Sequence, residues 1–222
     1  MKRIHNEESG FTLVETLVGI GLVAILMTGF YSVMFSGVRS SDATRTVVRS
    51  SEEARLGFNR MIRDTREAGG LLACTPSAFD TCYRVQIDFN GDGAFSNPNP
   101  NGDYEDLTYR YSELDHVISL NGQTLISGVY KVPGQDVFQY QSNALEYDSN
   151  GNGITTAGEL DSSGIATVGN GNGILDSPEL NYVTSVSFSF RIRQSDKACK
   201  ATIEPGDPCE TFYAAAQLRN RR

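Results

Sequence analysis

Between Phe11 and Phe35 the chain runs for 25 residues with a single charge, Glu15. As a helix this stretch would extend about 37 Å, enough to cross a bilayer. Lys2 and Arg3 precede it in "MKRIHNEESG" and would hold the amino end in the cytoplasm. A secretory signal has a shorter apolar core ending in a small-residue cleavage site, so the length favours an anchor that is kept. An unpaired carboxylate in hydrocarbon is costly, which makes Glu15 a functional candidate that needs a partner.

From Val38 to Ala68 the pattern becomes amphipathic, with Ala54, Phe58, Met61, Ile62 and Thr65 at helical spacing. Opposite charges three or four apart (Asp42/Arg45, Glu52/Arg55, Arg60/Asp64, Arg63/Glu67) describe a solvated face with weak local pairs. Gly69-Gly70 stops the helix. Short segments with strand-like patterning follow, at 83–89, 107–111, 116–120, 124–129, 137–141, 183–192 and 212–218. "SLNGQTLI" predicts a hairpin about Asn121-Gly122. "VTSVSFSFRIR" places Val183, Val186, Phe188, Phe190 and Ile192 largely on one face of a half-buried strand. The expected fold class is α+β, one long helix carrying a mainly antiparallel sheet.

The net charge of -8 weighs against nucleic acid as a partner. Four cysteines fall into two local pairs, Cys74 with Cys82 and Cys199 with Cys209, each bracketing a short proline-containing segment. With only two histidines, His5 and His116, zinc is a poor fit. Two disulfides and an oxidising compartment are expected instead.

"GFTLVETLV" resembles the processing motif of type IV prepilins and type II secretion pseudopilins. The resemblance implies cleavage by prepilin peptidase after Gly10 and N-methylation of the new terminus, Phe11. It also implies that Glu15 neutralises the terminal amine of a neighbouring subunit during filament assembly. A carboxylate and an amine, each costly alone in an apolar filament core, are tolerable as a pair. The chain departs from major subunits of that family in lacking a proline between Phe11 and Phe35, and Gly29 is the residue left to loosen the helix.

The later order of "LTYRYSELDHVISLNGQTLISGVYKV", "FQYQ", an insert, "VTSVSFSFRIR" and "YAAAQLRNRR" is similar to minor pilins of the PilW type and to pseudopilin J of type II secretion. That resemblance implies a type IV pilin-like fold and a low-abundance subunit that helps to start assembly at a filament tip. Its expected parts are a leader (1–10), an assembly helix (11–37) and a head (38–222). The head would hold an amphipathic helix (38–68), then a β-rich part (71–222) with long loops at 88–106 and 148–180. It implies an inner-membrane anchor with the head periplasmic before assembly, then a place at the tip. Expected partners are other pilins, prepilin peptidase and a tip adhesin.

Glycine-rich acidic loops form the second feature. Calcium takes about six to eight oxygens, and a turn offering side chains at alternate positions before a glycine supplies them. In "DSNGNGITTAGE", Asp148, Asn150 and Asn152 stand at positions 1, 3 and 5 of an EF-hand-like loop, Gly153 at 6 and Glu159 at 12. Helical flanks are not evident, so the loop alone is expected, not a helix pair. "NGNGILDSPEL" repeats "NGNGITTAGEL" with a period of 20, giving Asn170, Asn172, Asp176 and Glu179, but with Val168 at position 1. "DFNGDG" offers Asp88, Asn90 and Asp92. Asn99 falls where the closing glutamate belongs, and Asp103, Glu105 or Asp106 would have to close the shell. Structural calcium is therefore expected, most strongly at the second loop. The opposing reading makes these runs plain turns.

A membrane-tethered enzyme is disfavoured, because two histidines leave no Ser/His or Cys/His set. A minor pilin, a J-like secretion pseudopilin and a calcium-dependent tip adhesin remain as function classes.

Overall fold

The apolar and amphipathic stretches join in one helix, α1 (Leu13–Glu67). The computed structural model describes residues 12–74, 81–95, 98, 101–165, 168–172, 174–193, 199–200, 202–205 and 207–218. Gly10, Phe11 and Asn99 lie outside them. The chain divides into two compact units, Met1–Thr46 and Val47–Arg222.

In the first unit the apolar side chains from Leu13 to Phe35 are exposed, and Leu13–Asp42 is long and apolar enough to cross a membrane. Its hydroxyls bond back along the helix, Thr16 Oγ1 to Thr12 O at 3.1 Å and Thr28 Oγ1 to Ala24 O at 2.8 Å. That leaves few unsatisfied donors facing an apolar medium. The helix runs unbroken through Gly29.

In the second unit the predicted stripe faces the core. Ala54, Phe58, Met61 and Thr65 are buried, with Ile62 packed at the margin. Arg60 and Asp64 pair at 3.5 Å as their spacing predicts. Two other pairings differ: Arg55 reaches Glu210 at 3.1 Å, and Arg63 turns to Asp64 at 3.3 Å. Asp64 is fully buried, and a desolvated carboxylate draws nearby cations more strongly than an exposed one such as Glu67.

Among the described residues all strand pairs are antiparallel, in two five-stranded sheets. The first runs β1 (Gly70–Leu71), β2 (Cys82–Gln86), β3 (Asp106–Ser112), β4 (Val117–Leu120), β5 (Gln123–Ser127) in spatial order. The second has the order β10 (Cys209–Gln217), β9 (Val183–Arg193), β7 (Phe138–Ser142), β8 (Thr155–Thr156), with β6 (Val129–Tyr130) also on β9. Asn121 and Gly122 turn the β4–β5 hairpin with φ of 49° and 83°, the left-handed pair that an Asn-Gly turn supplies. The expected strand at 83–89 stops at Gln86, where the first loop begins.

Tyr83 fastens the two sheets together. Its ring meets Phe188 edge-on at 5.4 Å and lies 5.9 Å from Phe138, and Tyr140 donates to Cys82 O at 2.7 Å. Phe58 of α1 packs edge-on against Phe190 and Phe212, at 5.4 and 5.6 Å. β9 is not half-buried, because Ser187, Ser189 and Arg191 are buried as well. Gln135 accepts from Ser189 Oγ at 2.8 Å, and Lys200 and Asp207 meet Arg191, which donates to Lys200 O at 2.7 Å and pairs with Asp207. Both expected disulfides form, Cys74–Cys82 and Cys199–Cys209.

A buried polar network ties α1 to the first sheet. Tyr109 donates to Asp64 Oδ2 at 2.5 Å, and Tyr83 donates to Thr65 Oγ1 at 2.7 Å. Burial, then the Asp64 charge, pushes the Tyr109 phenol well above its usual range, so it stays a donor.

Candidate functional sites at the helix start and in the acidic loops

Glu15 lies in the first turn of α1, three residues after Thr12. Thr12 N and Thr12 Oγ1 both donate to Glu15 Oε2 at 3.0 Å, and Glu15 N donates to Thr12 Oγ1 at 3.3 Å. This reciprocal arrangement is a capping box, a second use of "TLVE" that the sequence already spelled out. It draws the carboxylate back toward the amino end of the helix.

In the second loop Asp148 Oδ1 accepts from Gly151 N at 2.8 Å, and Asp148 Oδ2 from Gly153 N at 2.7 Å. Asn150 Oδ1 accepts from Asn152 N at 3.0 Å, and Asn152 Oδ1 from Ile154 N at 2.8 Å. Gly151 and Gly153 have φ of 72° and 84°, values a side chain would resist. Glu159 closes the loop: Oε1 accepts from Asn150 Nδ2 at 2.7 Å and from Ser149 Oγ at 3.0 Å, while Oε2 accepts from Thr156 N at 2.9 Å. The bond from the Thr156 backbone leads in holding the Glu159 carboxyl below the usual range. A helical flank does exist, contrary to expectation. Thr156 and Glu159 form a capping box that starts α2 (Ala157–Asp161), a helix too short to show as periodicity.

The first loop repeats the turn. Asp88 accepts from Gly91 N at 2.6 Å and Gly93 N at 2.9 Å, Asn90 Oδ1 from Asp92 N at 2.9 Å, and Asp92 Oδ1 from Ala94 N at 2.7 Å. Of the acids considered for closing it, Asp106 is held by Arg84 across β2 and β3, and Glu105 is fully buried.

The third loop contains a residue that the sequence did not disclose. Asn170 Oδ1 accepts from Asn172 N at 3.0 Å and Asn172 Oδ1 from Ile174 N at 2.7 Å, as in the second loop. Val168, at position 1, is buried in the core. Asp161, at the end of α2, takes over the missing acid's contact: its Oδ1 accepts from Asn172 N at 3.0 Å, as Asp148 Oδ1 does from Asn152 N at 3.3 Å. Asn170 Nδ2 donates to Asp176 Oδ2 at 2.8 Å. Glu179 is fully buried, receives Asp176 N at 2.7 Å, and caps α3 (Ser177–Leu180). Burial pushes its carboxyl up. Among the described residues no group of three or more His, Cys, Asp or Glu side chains is placed to hold a metal. Each loop offers at most a few acids, and asparagine amides supply the other side-chain oxygens.

Residues 5–31 match the prokaryotic N-terminal methylation motif, a span that takes in Gly10, Phe11 and Glu15. The match covers the start of the chain and ends within the apolar stretch. A type IV-like pilin from Thermus thermophilus is similar at 9% identity, over 78% of this chain and 98% of that one, with a TM-score of 0.41. No curated protein sequence matches the chain.

The structure groups Asp148, Asn150, Asn152 and Glu159 on one turn. It groups Asn170, Asn172, Asp176 and Glu179 on another, together with Asp161. Asp161 lies seven residues before Val168 in sequence, so no spacing rule points to it. Only the fold of α2 carries it across.

Proposed function

We propose that this protein is a type IV pilin-like chain and a minor subunit of a type IV filament, processed after Gly10, anchored in the inner membrane by α1 and assembled at the filament tip, where it helps assembly to start. The observation that carries the reading is Glu15, a carboxylate capped by Thr12 at the start of an otherwise uncharged, membrane-length helix. Such a group is stable in an apolar filament core once an amine faces it. The neighbour's methylated Phe11 terminus supplies that amine. The test is mass spectrometry of sheared surface filaments. A processed chain beginning at methylated Phe11, far below the major subunit in amount, is expected. An intact leader in cells with active prepilin peptidase contradicts the reading. A J-like role in a type II secretion pseudopilus rests on the same motif, and recovery with secretion components instead of pili would favour it.

The loops extend this reading to calcium. Acids at positions 1 and 12 of the second loop both fold onto the turn 149–153, and hard oxygen donors of this kind suit calcium. The loop is mostly exposed, so a bound ion would supply the stabilisation that a core does not. The third loop is second in rank, with Asp161 standing in for Val168, and the first is third. Calcium at about a hundred-fold above its Kd adds about 2.7 kcal/mol, several degrees of Tm for a head this size. We expect EDTA to lower the Tm of the full chain in detergent by that amount, and Asp148→Asn to abolish the difference. A transition indifferent to EDTA would remove calcium from the account.

A further inference from the structure

We propose that the outer edge of β10 accepts an extended, carboxylate-bearing segment of a neighbouring protein as an added strand. Soluble domains usually guard a sheet edge by keeping it short, bulged, charged or interrupted by proline. The other edges here follow that rule. β1 and β8 are two residues long, and β5 pairs with β4 across a register shift at Ile118/Ser119. β10 does not. It runs nine residues in unbroken register with β9, and Thr211 to Leu218 includes neither proline nor charge. The one charge near its start, Glu210, is drawn onto α1 by Arg55 at 3.1 Å and Ser51 at 3.2 Å. Among the described residues no strand pairs with the outer edge.

Beside that edge runs an open trough of about 980 Å³ between β10 and the flank of α1, lined by Ile62, Arg63, Arg66, Glu67, Ala215 and Gln217 among others, so that two guanidinium groups outnumber one carboxylate, with Arg63 also bonded to Asp64 at 3.3 Å. Arg63 and Arg66 are exposed and sit one turn apart, roughly 5–6 Å between their β-carbons. Alternate side chains of an added strand stand roughly 6.5–7 Å apart on one face. A strand laid along β10 therefore presents every second side chain to the α1 flank. Carboxylates there meet the two guanidinium groups, and an apolar neighbour covers Ile62. Main-chain pairing gives such a complex its affinity and the flank gives it selectivity. A second copy of β10 is a poor occupant, because it would bring two Arg63/Arg66 flanks together.

The experiment uses the full chain in detergent and the peptide Ac-VEVEVEV-NH2. It is compared with Ac-VKVKVKV-NH2 and with two versions of the glutamate peptide N-methylated at alternate residues, one for each register. Calorimetry should show the glutamate peptide binding at least ten-fold more tightly than the lysine peptide, and at least one N-methylated version should lose binding. Hydrogen exchange in residues 209–218 should slow when the glutamate peptide binds. Arg66→Ala, which leaves the Arg63–Asp64 contact intact, should weaken it at least three-fold with the melting transition unchanged, and Arg66→Glu should shift preference toward the lysine peptide. The proposal is overturned by no binding to the wild-type chain, or by binding indifferent to N-methylation or to charge. Slow exchange in 209–218 of the peptide-free chain that is lost on dilution would also overturn it, since a second copy would then hold the edge.

Discussion

Tyr109→Phe removes one oxygen and leaves a charge stranded. Asp64 is fully buried, and its shortest contact is the Tyr109 hydroxyl at 2.5 Å. Arg60 and Arg63 reach it only at 3.3–3.5 Å, from largely exposed positions. A hydrogen bond to a charged group contributes about 1.5–3 kcal/mol, and more is lost when its partner stays buried without it. The distant arginines soften that loss, which places the expected cost at about 2–3 kcal/mol. In a unit of this size each kcal/mol moves Tm by about 2–4 °C, so calorimetry of the full chain in detergent should register a fall of roughly 4–12 °C. Tyr140→Phe is the matched control, because Tyr140 donates at 2.7 Å to a neutral acceptor, Cys82 O. Its loss should be about 0.5–1.5 kcal/mol. If Tyr109→Phe costs no more than Tyr140→Phe, the Asp64 charge does not depend on the phenol and the reasoning is refuted.

Gly57→Ala sets helix propensity, a gain of about 1 kcal/mol, against a Cβ that would lie 2.5 Å from Ile126 Cγ1 and 3.2 Å from Leu125 Cγ. Ile126 is buried and overpacking costs about 1–3 kcal/mol, so a lower Tm is expected and a higher one would show that the β4–β5 hairpin gives way. Gly169→Ala drives a Cβ into the Leu160 carbonyl oxygen and within 2.5 Å of Asp161 O, both backbone atoms that cannot swing aside. Limited proteolysis should then cut between residues 162 and 176 while the main transition stays near its wild-type Tm; uncut loops would show that Asp161 docking survives.

The long helix was legible because two signals of different period met in it, an unbroken apolar run to Phe35 and then the stripe from Ala54 to Thr65. The Asn121-Gly122 hairpin and both disulfides were equally plain, since each depends on residues close in sequence. What failed depended on distant partners. The inward face of Ser187, Ser189 and Arg191 looks polar in sequence and is buried because Gln135 and Asp207 come to meet it. Arg55 left its helical neighbour Glu52 for Glu210 on β10, and Arg63 turned from Glu67 to Asp64 beside it, whose burial is set by the sheet packed over it. Asp161 entered the third loop through a five-residue helix that no periodicity announces. The Thr12–Glu15 capping box, by contrast, was readable in four letters and was obscured by the larger role given to Glu15.

Glu15→Ala tests the central claim most directly. The mutant should insert into the membrane and be processed to a methylated Phe11 terminus as the wild type is, because the apolar helix and Gly10 are untouched. It should then be missing from sheared filaments in quantitative mass spectrometry. Mutant chain present there at the wild-type level would contradict the pairing of Glu15 with a neighbour's amine.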